Sequence, residues 1–493
     1  MRPVSPSRAD IEASVEATAS SLDGRRFVFQ RSAHDLDIEV GGYVTIGDRY
    51  LGQVYELGYA WIEGAELTAA LPDAGATDVR IAVVRGSGVV LDAQPMPFHD
   101  VSITRATTSA VERHLAQRDA NGAGLDVGVM LLEEGLRVSL DASGFDRHTF
   151  FCGQSGSGKT YALGTVLERL ILDTDLRIVV LDPNSDFVRL GEVRDGADPA
   201  VEDRYRKAAE GLVVRKSGAT GSDRLHVRFT DCDAEEQAAV LRLDPIADRE
   251  EYGALVDLLD GGIESASAGV GELASRLLDA PDPATRGLGA RIRNLGLHRW
   301  PIWSGGDAGS VQDLVQTGGP RVAIVDLGSL QTPGEKAIAA ESVLAALWRR
   351  RSAREPILIV IDEAHNVCPR EPGDPVTALA SAHAARIAAE GRKFGLYLLV
   401  STQRPQRVNE LVVSQCDNLV LMRMISASDL AHVRELLAVA PAALVERAAT
   451  FRGGESLVAG KIASHPTFVR FGPRVSEEGG ADVPTSWARP TRA

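Results

Sequence analysis

Eight consecutive residues, Gly153-Gln154-Ser155-Gly156-Ser157-Gly158-Lys159-Thr160, have the types and the spacing of a phosphate-binding loop. Glycines let the backbone curl so that successive N–H groups, and the helix N-terminus that follows, point at phosphate oxygens. Lys159 offers a point charge to the β- and γ-phosphates, Thr160 offers a hydroxyl to Mg²⁺, and Tyr161 begins the helix beside them. A second constellation comes later, where the apolar run Ile357-Leu358-Ile359-Val360-Ile361 closes on Asp362-Glu363. Hydrolysis needs a carboxylate to orient the metal and a group to polarise the attacking water. Asp362 suits the first role, acting through water, and Glu363 the second, as general base. The implied ligands are ATP and Mg²⁺.

Two further apolar runs end in polar residues of the same kind. Leu181-Asp182-Pro183-Asn184 places Asp182 either to orient metal-bound water or to close a turn. Val400-Ser401-Thr402-Gln403-Arg404 places the Gln403 amide to sense the γ-phosphate or position water. Arg147, Arg392 and Arg404 are candidates for the positive charge that stabilises the transition state, within one subunit or across an interface. His365, after the carboxylate pair, suits a supporting hydrogen bond better than catalysis.

These residues need a parallel sheet to bring them together, and the chain supplies one. Strand-like runs at 149–152, 176–181, 225–229, 322–325, 357–361, 396–401 and 418–422 alternate with helical segments, the first at 161–172. Between about 231 and 315 helix signals dominate, including 234–243 and 251–259, which reads as an insertion projecting from the sheet. Before the sheet, short β-branched runs broken by glycine (27–29, 38–40, 43–46, 50–55, 79–84 and 89–91) read as a small β-barrel. The expected organisation is a flexible N-terminus (1–24), a β-barrel (25–110) and a connector (111–145). An α/β nucleotide-binding core (146–230 and 316–472) then carries the helical insertion (231–315), and a flexible tail (473–493) ends the chain.

With 493 residues, 44% of them hydrophobic, the chain has material for more than one core. It has no apolar run of membrane-crossing length and no apolar signal core in its first ten residues, so a cytoplasmic protein without a membrane partner is expected. The 68 acidic and 53 basic residues give a net charge of -15, which excludes coating nucleic acid with the whole surface but not a local basic channel. Cys152, Cys232, Cys368 and Cys416 lack metal-ligand spacing and read as free thiols.

Taken together, the motifs resemble the HerA branch of the HerA/FtsK superfamily of ring-forming ATPases, with a RecA-like core. The resemblance spans roughly residues 25–472. It rests on the barrel, "RHTFFCGQSGSGKT", "LDPNSDF", the helical insertion, "LIVIDEAHNVCP", "AAEGRKFGLYLLVSTQRP" and "VVSQCDNLVLMR" in that order. It implies a homohexamer with ATP sites between subunits, duplex DNA in a central channel, and a nuclease or other effector docked on the barrel face. Residue by residue, it implies that Lys159 and Thr160 are nucleotide ligands, Glu363 the catalytic base and Gln403 the sensor. Arg392 of "EGRKFG" becomes an arginine finger donated to a neighbour, and Arg147 a basic nucleotide contact. Family members often carry His-Gly-Glu-Tyr where this chain has Asn184-Ser185-Asp186-Phe187. Two activities remain open on these residues: an ATP-driven DNA translocase or helicase, and an ATP-binding hexameric scaffold that regulates an effector enzyme in anti-phage defence.

Overall fold

The computed structural model of the protein describes residues 15–34, 36–63, 80–119, 124–260, 269–304 and 309–480. Six antiparallel strands, β1 (Thr18–Ser21), β2 (Arg26–Ser32), β3 (Tyr43–Ile46), β4 (Tyr50–Glu63), β5 (Arg80–Val90) and β6 (Phe98–Arg105), close into a barrel in the order β1-β2-β5-β4-β3-β6. Alternation along β2 turns Phe27 and Phe29 inward, onto Val44, Ile46, Val54 and Ile103. The sequence runs 79–84 and 89–91 form one continuous strand, β5, apart from Val79, which lies outside the described residues, and Leu91, which follows the strand. Gly86 and Gly88 are not breaks there. A side chain at either position would come within 2.5 Å of the Phe29 or Phe27 ring, so the glycines make room for the barrel core. Residues 38–40 form no strand, although Ile38 is buried.

The second body is an eleven-stranded sheet. Its strands are β7 (Gly124–Met130), β8 (Arg137–Asp141), β9 (His148–Cys152), β10 (Arg177–Asp182), β11 (Val213–Lys216), β14 (Val322–Asp326), β15 (Ile357–Ile361), β16 (Leu396–Thr402), β17 (Cys416–Met422), β18 (Glu455–Gly460) and β19 (Thr467–Phe471). A separate parallel pair is made by β12 (Val227–Arg228) and β13 (Trp303–Ser304), so the apolar run at 225–229 does not join the main sheet. The sheet order is β11-β14-β10-β15-β16-β9-β17-β18-β19-β7-β8. Strands from β11 to β17 are parallel, and the rest are added antiparallel. Every residue of β9, β14 and β15 is buried, as a parallel sheet covered by helices on both faces requires.

Three segments behave differently from the sequence reading. Residues 111–145, expected to connect, supply most of the helix Thr108–Asp119, the strand β7 and the edge strand β8. The expected flexible N-terminus contributes β1, which pairs with β2 and β6 to close the barrel, while residues 1–14 lie outside the described part. In the expected flexible tail, Arg474, Val475 and Ser476 are buried, and 481–493 lie outside the described part. The segment read as an insertion holds helices Ala234–Leu241, Arg249–Asp260, Val270–Leu278 and Pro283–Asn294. Rather than projecting freely, its Leu241, Leu255, Leu273 and Ile292 join the core that also contains Ile338, Leu344 and Ile387. Glu236 also accepts a 2.8 Å hydrogen bond from Arg349.

Candidate functional site

Strand order decides which side chains meet. β16 lies between β9, which leads into the phosphate loop, and β15, which ends at the carboxylate pair. The C-terminal sheet edge therefore presents, in order, Asp326, Asp182, Asp362, Ser401 with Thr402, the loop at Gly153, and Arg423 after β17. This is the edge at which open α/β sheets hold ligands.

The loop is built from backbone conformations that glycine permits. Gly156 and Gly158 have φ of 71° and 89°, and Gly158 immediately precedes the helix Lys159–Asp173. The Gly153 N–H donates to Thr402 O at 3.3 Å and the Gln154 N–H to Arg423 O at 2.9 Å, while the Gln154 amide oxygen accepts from the Ile425 N–H at 2.9 Å. The Gly454 N–H closes the far side, donating to Ser157 O at 2.9 Å. Ser155 is exposed in the middle of the loop, and the buried Ser157 hydroxyl has no partner.

Lys159 is 4% exposed, and its Nζ donates to Asp362 Oδ1 at 2.6 Å and to Ser401 Oγ at 2.8 Å, with Glu363 Oε1 at 3.4 Å. Burial works against its charge, but Asp362 and Glu363 more than offset that and hold its pKa above the ordinary lysine value. Ser401 Oγ donates to the same Asp362 Oδ1 at 2.7 Å, whereas Asp362 Oδ2, on a fully buried side chain, has no partner. Glu363 sits in the left-handed region at φ 41°, a strain that the surrounding contacts must hold in place. Its Oε1 accepts from Gln403 Nε2 at 2.7 Å, and its Oε2 from the Gln403 N–H at 3.3 Å. His365 Nδ1 lies 3.3 Å from Glu363 Oε2 and 3.1 Å from Thr402 Oγ1, and burial lowers its pKa. The hydrogen bond of the ring is thus with Thr402, beside the carboxylate.

Thr160 Oγ1 donates to Asp186 Oδ2 at 3.4 Å. One ligand atom each from Asp182, Asp186 and Asp362 falls within 4.8 Å of the others. Oxygen donors alone, with one buried carboxylate oxygen unpartnered, fit a hard divalent cation such as Mg²⁺. Asp182 also closes the turn after its strand, since it accepts N–H bonds from Asn184 at 3.3 Å, Asp186 at 3.0 Å and Phe187 at 2.8 Å. Burial raises its pKa to about 7 and outweighs these donors, which favour the ionised form; the Asp362 charge adds to the rise. Asp186 is raised in the same direction, by burial and then by Asp362.

Lys159, Thr160, Asp362, Glu363 and Gln403 are thus brought together, and Asp182 joins them. Tyr161 points elsewhere: its hydroxyl accepts the Arg474 N–H at 2.7 Å. Arg147 and Arg392 are not at this edge. Arg392 Nη1 donates to Asp417 Oδ2 at 2.6 Å, and Arg147 Nε lies 3.6 Å from the same oxygen. All three residues sit at the starts of β9, β16 and β17, a strand's length from the phosphate loop, roughly 16 Å for five residues. Sequence reading missed Ser401, Asp186 and Arg423, whose Nη2 donates to Gly156 O at 3.3 Å. The polar ends of Val400-Ser401-Thr402 and Leu421-Met422-Arg423 were the available signals.

A glycine-rich loop after a buried strand, with a lysine against a strand-end carboxylate pair two strands away, defines a P-loop ATPase. The family model described as "Helicase HerA, central domain" matches residues 125–277. The chain is 25% identical over 411 residues to the DNA double-strand break repair helicase HerA of Pyrococcus furiosus, covering 70% of this chain and 69% of that protein. It is 30% identical over 171 residues to the protein of the same name from Sulfurisphaera tokodaii, covering 33% of each. Among solved structures it is similar to VirB4 of Thermoanaerobacter pseudethanolicus, with a TM-score of 0.49 and 17% identity over 72% of this chain and 97% of that one. The chain is a P-loop ATPase that is similar to HerA helicases over 70% of its length. Among the described residues, no helix is long and apolar enough to cross a membrane.

Proposed function

We propose that the chain is one subunit of a cytoplasmic homohexameric ring that hydrolyses ATP with Mg²⁺ to move duplex DNA through its central channel. A nuclease or other effector would dock on the β-barrel face. One observation carries the ring: Lys159, Glu363 and Gln403 occupy one edge of the sheet, whereas Arg392 and Arg147 occupy the other. Head-to-tail packing of identical subunits would set the arginine edge of one against the phosphate loop of the next, a heterologous contact of the kind that closes into rings. Such an arrangement gives Arg392 the role of a finger acting in trans. The chain's similarity to DNA double-strand break repair helicases supports DNA as the substrate.

In this reading the loop N–H groups and Lys159 bind the phosphates, and Thr160 and Asp362 hold Mg²⁺, which when bound neutralises charge on the β- and γ-phosphates. Glu363 takes the proton of the attacking water, and Gln403, now bonded to that carboxylate, orients it toward the water. Lys159 leaves Asp362 for the γ-phosphate as nucleotide enters.

The test is subunit mixing, together with ATPase assays on duplex DNA. Lys159→Ala and Arg392→Ala are each expected to be inactive. An equimolar mixture should recover activity, because about a quarter of random interfaces pair an intact loop with an intact finger. No recovery refutes the trans site. Hydrolysis indifferent to DNA, in a ring on which a co-purified effector depends, would replace the motor with the scaffold.

A further inference from the structure

The turn after β10 is held more firmly than a surface turn needs. Ser185 adopts φ 63°, in the left-handed region, and its hydroxyl donates to Asp326 Oδ1 at 2.7 Å. Asp182 gathers three N–H groups of the same turn. From the other side, the C-terminal segment donates the Gly479 N–H to Asp186 O at 3.0 Å; a side chain at Gly479 would meet Ser185 O at 2.1 Å. Every restraint acts on backbone or on residues 182 and 185. The Asp186 side chain alone is left to point at Thr160 Oγ1.

The carboxylates around it divide their work. Both oxygens of Asp182 are occupied by backbone N–H groups, and Asp362 Oδ1 is occupied by Lys159 and Ser401. Asp362 Oδ2 has no partner on a side chain that is 0% exposed. A ligand atom of Asp362 lies within 4.8 Å of one from Asp186. A buried, unpartnered carboxylate oxygen beside a second carboxylate and a hydroxyl is an unfavourable arrangement unless a cation completes it.

We propose that Asp186 is a positioning residue for the divalent cation that accompanies the nucleotide, and that together with Asp362 and Thr160 it would hold the waters the cation brings. This rests on the ATP–Mg²⁺ reading of the site. Carboxylates that hold a metal's ligands and water are worth about 10- to 100-fold in metal affinity. Removing one from a site that must also receive a triphosphate relieves repulsion of the free nucleotide.

Calorimetric titration of ATPγS into the full-length protein, first in EDTA and then across a Mg²⁺ series, separates the two ideas. Asp186→Asn should bind metal-free nucleotide at least as well as the unaltered protein. It should lose 10-fold or more of the affinity gained with Mg²⁺ and need a correspondingly higher Mg²⁺ concentration. Asp186→Glu should recover most of the gain, and Mn²⁺ electron paramagnetic resonance should show the same order. A full Mg²⁺ gain in Asp186→Asn, or equal loss in EDTA and in Mg²⁺, overturns the assignment. Failure of the unaltered protein to bind nucleotide at all refutes the ATP site itself, a distinguishable result.

Discussion

The buried pair Glu168–Arg474 gives the sharpest energetic prediction. Both side chains have 0% exposure, and Arg474 Nε donates to Glu168 Oε1 at 3.2 Å and to Ser476 Oγ at 2.9 Å. Glu168 also accepts from the Val475 N–H at 2.9 Å, the Ser476 N–H at 2.7 Å and the Ser476 hydroxyl at 2.6 Å. Removing one partner of a buried pair typically costs about 3–5 kcal/mol, because the other charge stays buried. In Arg474→Met the three remaining donors still serve Glu168, so the lower figure applies, about 3 kcal/mol. That is roughly a hundredfold in the opening equilibrium of the C-terminal segment.

Glu168→Gln keeps one acceptor but leaves the guanidinium uncompensated, again about 3 kcal/mol. In the double variant Glu168→Gln/Arg474→Met neither charge is stranded, so the loss should fall short of the sum by about 2 kcal/mol, within the range of contacting pairs. Limited proteolysis of the C-terminal segment, under conditions where cleavage follows the open population, reads this directly. Additive losses, or an unchanged cleavage rate in Arg474→Met, would refute the coupling. Because Tyr161 accepts the Arg474 N–H and Gly479 donates to Asp186 O, opening the segment should also weaken Mg²⁺-dependent nucleotide binding.

Glu363→Gln should retain nucleotide while hydrolysis falls by about 10²–10⁴, the usual contribution of a general base; single-turnover kinetics with trapped nucleotide would reveal an error if turnover persisted. Gly158→Ala places a side chain 3.1 Å from Gly454 N at φ 89°, so the loop should distort and nucleotide affinity fall, and unchanged binding would contradict the loop geometry. His148 is buried and accepts the Leu398 N–H at 2.9 Å on Nδ1; burial, then the Arg392 charge, lowers its pKa from 6.5 to about 4. The unfolded chain therefore binds more protons than the folded one between those values, and stability is lost as pH falls from about 6.5 toward 4, by about 3 kcal/mol. His148→Gln, which keeps an acceptor without titrating, should flatten that part of the pH profile in chemical denaturation, whereas an identical slope would assign the dependence to other groups.

Much of the chemistry needed only short stretches of chain. The phosphate loop is contiguous, and β15 delivers Asp362-Glu363 directly after five buried apolar residues, so spacing and strand patterning reveal both. Gln403 was legible for the same reason, as the polar end of an apolar run. Where local pattern misled, a distant neighbour had changed the meaning of a residue. Gly86 and Gly88 look like chain breaks until Phe27 and Phe29 are packed on them, and polar residues after 472 look like a loose tail until Glu168 collects their N–H groups.

What the sequence determined by itself was therefore the kind of chemistry: which residues can hold phosphate, metal and water, and the α/β alternation that carries them. Only the tertiary structure decided the company each one keeps. Strand order put Ser401 between Lys159 and Asp362, and the turn after β10 brought Asp186 to Thr160. Parallel strand direction sent Arg392 and Arg147 to the far edge, and a contact spanning 306 residues tied the C-terminal segment to the phosphate-loop helix. The reason is physical. A loop that binds phosphate is specified by neighbouring φ angles and side chains, whereas strand order and buried ion pairing are fixed by how the whole apolar core packs.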